Sequence, residues 1–262
     1  MKILVCIKQV PNTTKVDIDE ETGVLKRDGA DTKLNPYDLF ALETALWLKE
    51  ERGGTVTALT MGPPQATAIL KEAFMMGVDE GALLSDQAFA GSDVLATSYA
   101  MSQGISLMGD VDVIVCGKQT TDGDTAQVGP EIAEALDIPH ATNVTKIIDV
   151  GDQGLRIEVE MGDSLELQDI PFPCLITVDA DIFVPRLPSY KRKIATAQRE
   201  IRTIKCSELP DQDPNRYGLS GSPTQVERIF PPESSTQKVM IKGTGDEAAV
   251  VFYEKLKELK FL

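Results

Sequence analysis

The sequence predicts an α/β fold: an open parallel sheet with helices on both faces, then an antiparallel hairpin region and a C-terminal arm ending in a helix. Three observations carry this. The short apolar runs KILVCIKQV, TVTALTMG and VDVIVCG are separated by stretches whose apolar residues recur at helical spacing. Connections of that length impose crossovers and therefore parallel pairing. Beyond residue 140 the pattern becomes alternating runs divided by glycines, and beyond 206 a Pro-, Ser-, Gly- and Asp-rich segment without period.

The elements follow in order. Residues 2–10 form a continuous apolar run, as a strand buried on both faces should. After Pro11, VDID and GVLKR alternate about a Glu-Thr-Gly turn and predict a surface hairpin. LNPYDLFALETALWLKEERGG predicts a helix with Asn35 as N-cap, Pro36 at its first position, a stripe of Leu39, Leu42, Leu46 and Trp47, and Gly53-Gly54 as its stop. TVTALTMG is a strand, PPQATAILKEAFMMG a helix closing on Gly77, and GALLSD a short strand. Ser92 is the expected cap of the helix DVLATSYAMSQGISLMG. VDVIVCG is the clearest buried strand, and a polar loop leads from it into the helical PEIAEALD. ATNVTKIIDV, LRIEVEMG and SLELQDI read as antiparallel strands, and PCLITVDAD as one more core strand.

The expected division is therefore an α/β domain over 1–205 and, over 206–262, an extended arm with a terminal helix. A segment that long without periodicity rarely packs inside one domain. Val250, Val251, Tyr253, Leu256 and Leu259 stand at helical spacing, so the last helix needs a surface to bury its face against. A partner subunit is the expectation; folding back onto its own domain is the alternative.

Composition removes several classes of function. No apolar run approaches the roughly 20 residues of a membrane helix. The opening run is short and no small-residue cleavage site follows it, so a cytoplasmic location is expected. Cys6, Cys116, Cys174 and Cys206 are far apart with no C-x-x-C pair, and read as reduced thiols. The one histidine, His140, is expected in a loop after Pro139. It speaks against structural zinc, and against Ser-His-Asp or Cys-His mechanisms unless His140 itself serves. A net charge of −15 disfavours nucleic acid. Against that acidity stands one basic stretch, with Arg186, Lys191, Arg192, Lys193, Arg199 and Arg202 within seventeen residues.

In open α/β sheets ligands bind beyond the carboxyl ends of the strands, where the strand order reverses. The strand exits are Lys8–Pro11, Met61–Pro64 and the long run from Gly117 to Pro130. That run offers small residues, three threonines and two glutamines as donors, and Lys118 as a compensating charge for a phosphate, immediately before a helix. Glycines let backbone N–H groups approach a phosphate, and a helix N-terminus adds partial positive charge. Asp122 and Asp124 suit sugar hydroxyls or a cap, Asp124 and Gln127 standing at capping-box spacing, and Pro130 leaves the helix start open. Neither G-x-G-x-x-G nor a P-loop occurs, so nucleotide loop and plain capped turn both remain readings of these residues. Asn35-Pro36-Tyr37-Asp38 is by itself a capping motif; as a second helix start expected at the same edge it would put two such starts beside one crevice, which suits a pyrophosphate.

Taken together, KILVCIKQVP, the VDID…TGVLKRDG hairpin, NPYDLFALETAL, MGPPQA, CGKQTTDGDTAQVGPEIAEAL and the late GSPTQV resemble the β subunit of electron transfer flavoproteins, in particular the flavin-bifurcating type. The resemblance runs from residue 2 to about residue 225 and implies a Rossmann-like domain of adenine-nucleotide-binding type. It implies FAD as the bound cofactor, with AMP as the alternative in simple members. The contacts carried over are Cys6, Asn35, Pro36, Tyr37, Asp38, Met61, Gly117, Lys118, Gln119, Thr120, Thr121, Asp122, Gly123, Asp124, Thr125, Ala126, Gln127 and Val128, with Gln119 to Gln127 cradling the phosphates.

The same resemblance implies an α subunit carrying another FAD, NADH as electron donor, ferredoxin or flavodoxin as one acceptor, and a flavin-dependent dehydrogenase beyond the α subunit. No catalytic side chain is expected in this chain. The basic segment PRLPSYKRKIATAQREIRTI is similar to a loop that grips the dehydrogenase, so Arg186, Ser189, Tyr190, Lys191, Arg192 and Lys193 are expected to dock a partner. Tyr190 and the Lys-Arg-Lys run stand where a leucine-proline tip is the better-known pattern. A rival of another class is an ATP-binding stress or sensor protein with a related sheet.

Overall fold

The computed structural model describes residues 1–12, 32–227 and 239–262, so the hairpin expected over VDID and GVLKR lies outside the described residues. The chain forms two compact units, Met1–Glu227 and Arg228–Leu262. The first unit contains, in order, β1 (Lys2–Cys6), β2 (Gln9–Pro11), β3 (Thr32–Leu34), α1 (Pro36–Arg52), β4 (Thr55–Met61), α2 (Thr67–Met76), β5 (Glu80–Leu84), α3 (Val94–Ser106), β6 (Val113–Gly117) and α4 (Val128–Leu136). After these come β7 (His140–Val150), β8 (Gly154–Glu160), β9 (Leu165–Pro171), β10 (Cys174–Val178), α5 (Tyr190–Ala195) and β11 (Arg202–Ile204).

Among the described residues, eleven strands make two sheets. The larger has the order β11-β5-β4-β1-β6-β10-β7-β8-β9, parallel from β11 to β7 and antiparallel at β8 and β9; the smaller is the antiparallel pair β2-β3. This is the expected α/β class.

Strand alternation distributes the core. In β1, Ile3 and Val5 join α1 and α2 on one face, while Leu4 and Cys6 join α3 and α4 on the other. Val113 and Val115 of β6 take the first face, Ile114 and Cys116 the second. Strands covered by helices on both sides carry no polar alternation, which is why these runs are continuously apolar. The first winding, β1-α1-β4-α2-β5, travels along one side of β1; α3 then crosses to the other face and delivers β6 to the opposite side of β1. The strand order therefore reverses between β1 and β6, and β10 extends the sheet beyond β6.

Several local expectations are corrected. The run 2–10 is not one strand: β1 ends at Cys6, and β2 leaves to pair with β3. The break falls where the Lys8 N–H turns to Asp38 and the Lys8 carbonyl accepts from the Asn35 N–H, so neither group remains for the large sheet. The cap of α3 is Asp93, whose carboxylate accepts from Ala96 N; the Ser92 hydroxyl is spent on the Phe89 carbonyl. His140 opens β7 instead of sitting in a loop. The three antiparallel strands and the core strand after them form as expected, with β7 and β10 both joined to the parallel sheet.

Residues 206–227 belong to the first compact unit, although the sequence reads as an arm from 206. Leu209 and Tyr217 enter the α3–α4 side of the core, and Tyr217 is 2% exposed, with rings of Phe89 and Tyr99 at 5.9 and 5.6 Å. The Asp93 carboxylate accepts from both N–H and hydroxyl of Thr224. In the second unit, α6 (Gly245–Glu258) begins with a capping box between Thr244 and Glu247 and buries no residue. Val250, Val251 and Tyr253 are exposed on it.

Tyr217→Ala removes an aromatic side chain from the core, and the expected loss of stability is about 3–5 kcal/mol. Urea unfolding of the two proteins measures it. A loss below about 0.5 kcal/mol would mean that this segment rides on the surface.

Candidate functional site

The reversal between β1 and β6 places their two exits side by side, with the N-terminus of α1 between them. Asn35 holds the N-cap position of α1, yet its side chain does not cap that helix. Its Nδ2 donates to Asp38 Oδ1 at 2.9 Å and to the Gln119 carbonyl at 2.9 Å, while Oδ1 accepts from Thr121 N at 3.3 Å. Asp38 Oδ2 accepts from Lys8 N at 2.7 Å. One Asn–Asp pair thus fastens the exit of β1 to the loop leaving β6.

Gly117 is required where this pair packs. A Cβ there would stand 2.5 Å from Asp38 Oδ1 and 2.8 Å from the Tyr37 carbonyl carbon. Cys6 and Cys116 are register partners below the exits, both buried. The hydrogen bond that the Cys116 thiol donates to Cys6, together with burial, holds it well above the usual range, so it is no nucleophile.

Beyond Gly117 the loop rises to the surface, and residues 121–127 are all exposed. Asp124 and Ala126 both adopt left-handed conformations, with φ of 54° and 56°. Asp124 N donates to the Thr120 carbonyl, closing a turn, and Asp124 Oδ1 accepts from Gln119 Nε2. The capping box expected between Asp124 and Gln127 does not form. Instead α4 starts at Val128 with Gln127 as an N-cap that supplies no side-chain hydrogen bond, and Pro130 lies within its first turn. Glu131 Oε2, also in that turn, is buried with no hydrogen-bond partner among the described residues.

The charges are arranged differently from the sequence reading. Lys118, expected to compensate a phosphate, pairs with Asp179 at the exit of β10 at 2.8 Å. Lys8 instead reaches the loop, its Nζ 2.7 Å from Asp122. Burial works against the Asp122 anion, but the Lys8 ammonium and Thr120 hydroxyl outweigh it and hold the carboxyl below its usual range. Lys8 was legible only as part of a strand exit; nothing local in KQVP announces a contact with a residue so far along the chain.

Of the remaining contacts implied by the resemblance, Pro36 is the first residue of α1, and the Tyr37 hydroxyl accepts from Gln119 Nε2 at 3.3 Å. Met61 ends β4, the neighbour of β1 on its other side. Val128 packs into the α4 side of the core.

This edge can be set beside known proteins. A family profile described as "Electron transfer flavoprotein domain" matches residues 22–209. An electron transfer flavoprotein subunit beta of Clostridium acetobutylicum is 42% identical over 262 residues, the whole of both chains. The chain belongs to the electron transfer flavoprotein β-subunit family. Subunit CarD of the caffeyl-CoA reductase–Etf complex of Acetobacterium woodii is 44% identical over 260 residues, 98% of each chain. Protein FixA of Sinorhizobium fredii is 42% identical over 254 residues, 95% of this chain and 89% of its own.

The basic segment of this electron transfer flavoprotein subunit divides into anchors and free groups. Arg186 is tied to Glu43 and Glu50, each at 2.7 Å, and the hydrogen bonds it donates to both carboxylates raise its pKa. Ser189 caps α5 by accepting from Arg192 N, and Arg192 Nη1 donates to the Met76 carbonyl at the end of α2. Tyr190, Lys191 and Lys193 are exposed, and among the described residues neither lysine forms an ion pair. Val184 and Leu187 are exposed beside them. Three of the six residues expected to dock a partner therefore have internal tasks, which spacing alone does not reveal.

Arg186→Ala leaves Glu43 buried without its partner, an expected cost of about 2–3 kcal/mol. Lys191→Ala with Lys193→Ala is expected to change stability by less than about 0.5 kcal/mol; thermal denaturation separates the two cases. Burial raises the Asp38 carboxyl from 3.8 to about 7, against the hydrogen bonds from Asn35 and Lys8. The stability this contributes is present in full below the ordinary value of 3.8, declines as pH rises, and is gone once pH passes about 7. Asp38→Asn is expected to flatten the stability profile over that interval, as unfolding at a series of pH values would show.

Proposed function

We propose that this chain is the β subunit of a flavin-bifurcating electron transfer flavoprotein and holds FAD on the edge built by the exits of β1 and β6. One observation carries the ligand assignment. The exposed run 121–127, turned by left-handed Asp124 and Ala126, presents backbone at the strand-order reversal and ends on a helix that no side chain caps. Such a surface suits a diphosphate: the N–H groups of Thr121, Gly123 and Asp124 are engaged within the edge, but those of Thr125, Ala126 and Gln127 have no partner among the described residues, and together with the helix dipole they favour anionic oxygens. Gln119 to Gln127 would cradle it, with Thr120, Thr121 and Thr125 as hydroxyl donors. Lys8 neutralises Asp122, and Gln119 occupies one oxygen of Asp124, which reduces the repulsion a diphosphate would meet. Glu131 Oε2 is an acceptor still without a donor among the described residues.

Bound there, FAD would supply the redox chemistry, with NADH as hydride donor and with ferredoxin or flavodoxin and the α-subunit FAD as the two single-electron outlets. The residues of this chain position the cofactor and set its surroundings. The relative named as a subunit of a caffeyl-CoA reductase–Etf complex supports a further link to a flavin-dependent dehydrogenase. Exposed Tyr190, Lys191 and Lys193 favour an acidic patch on that partner. The exposed apolar residues of α6 favour burial against the α subunit.

A nucleotide count on the purified αβ pair tests the reading. Two FAD per pair are expected, whereas one FAD with one AMP would replace bifurcation by the simpler role. Thr125→Leu is expected to weaken β-site binding about tenfold through a lost donor and added bulk, leaving the α-site flavin bound. Equal loss of both cofactors would move the β site away from this loop.

A further inference from the structure

Asp38 is the point through which the whole edge is fastened, and its environment makes two opposed demands. The side chain is enclosed, with the residue 4% exposed. Both oxygens accept from N–H groups, Oδ2 from Lys8 N and Oδ1 from Asn35 Nδ2. Two acceptors are what an ionised carboxylate offers, whereas burial favours the neutral acid. Through Asn35 the carboxylate is linked to both the Gln119 carbonyl and the Thr121 N–H of the loop.

The titratable and charged groups around it are few. Tyr37 lies on its own helix, Cys6 and Lys8 come from β1 and its exit, Cys116 from β6, and Asp122 from the loop. Lys8 favours the ionised form of Asp38, and the charge of Asp122 already favours the protonated one. An anion seated on the loop that carries Asp122 acts in the same sense.

We propose that Asp38 is a proton-linked positioning residue: an anionic nucleotide binds this edge together with a proton that passes from solvent to the Asp38 carboxyl. The proton bonds to one carboxyl oxygen, which then accepts more weakly from its N–H partner and loosens one tie between the β1 exit and the loop. This rests on the nucleotide reading of the edge, and the probe is chosen to separate the two. ADP-ribose carries the adenosine diphosphate unit without a phosphate that titrates near neutrality.

Calorimetry of ADP-ribose binding to the αβ pair freed of its β-site nucleotide, in buffers of different ionisation enthalpy, reads proton uptake directly. Wild type is expected to take up as much as one proton, with Kd rising by up to about tenfold per pH unit above pH 7. Asp38→Asn is expected to bind with a Kd independent of pH over the same range. No uptake in wild type, or equal uptake in the variant, overturns the role of Asp38 and leaves the nucleotide site standing. Failure of wild type to bind ADP-ribose at any pH overturns both. If Asp38→Asn does not fold, carboxyl-labelled aspartate NMR of wild type decides. One carboxyl titrating near neutrality and becoming protonated as ADP-ribose is added supports the proposal, and its absence overturns it.

Discussion

The Asn35–Asp38 pair is the constraint on which the rest of this edge depends, because from the start of α1 it satisfies three backbone groups in two other chain segments at once. A net hydrogen bond contributes only about 1 kcal/mol, but a buried group left without its partner costs about 1–3 kcal/mol. Removing any member of the set strands another, so the β1 exit, the α1 start and the β6 loop behave as one unit. The close approach at Gly117 follows from the same packing, since the carboxylate needs the space a side chain would fill. Helix α1 thereby gives up the ordinary use of its N-cap side chain to hold a loop that lies far away in sequence.

Electrostatics reinforces this arrangement. A loop carrying Asp122 and Asp124 is at first sight a poor receptor for phosphate. Lys8 and Gln119 remove much of that objection by engaging one aspartate each. Lys118 is drawn away to Asp179, which ties the β6 exit to that of β10. Two lysines near one crevice thus serve different strands, and the partner each one has is decided by sheet order.

The parts of the fold legible in the sequence were those governed by local pattern. The buried strands around Val5 and Val115, the helix opening at Pro36 and the antiparallel strands after residue 140 follow from hydrophobic period and turn residues alone. The candidate edge was legible in outline, since strand exits and loop chemistry single out 117–130. What escaped was set by tertiary partners. Ser92 and Asp93 are equally good caps by type, and the choice goes to Asp93 because Thr224 also needs its carboxylate. Tyr217 stands in a segment without period, so nothing local marks it as core; its place is made by Phe89 and Tyr99. Arg186 and Arg192 look like surface charge until Glu43 and the end of α2 are brought beneath them.

The position of β10 has a consequence for how the chain comes together. It is inserted between β6 and β7, parallel to both, although β7, β8 and β9 precede it in synthesis. A nascent polypeptide must therefore keep a gap in its growing sheet, with one flank of β6 unzipped, until Cys174–Val178 leaves the ribosome. Such long-range closure slows assembly and exposes apolar strands in the interim. A translation product halted before that point would lack the strand that joins its parallel and antiparallel halves.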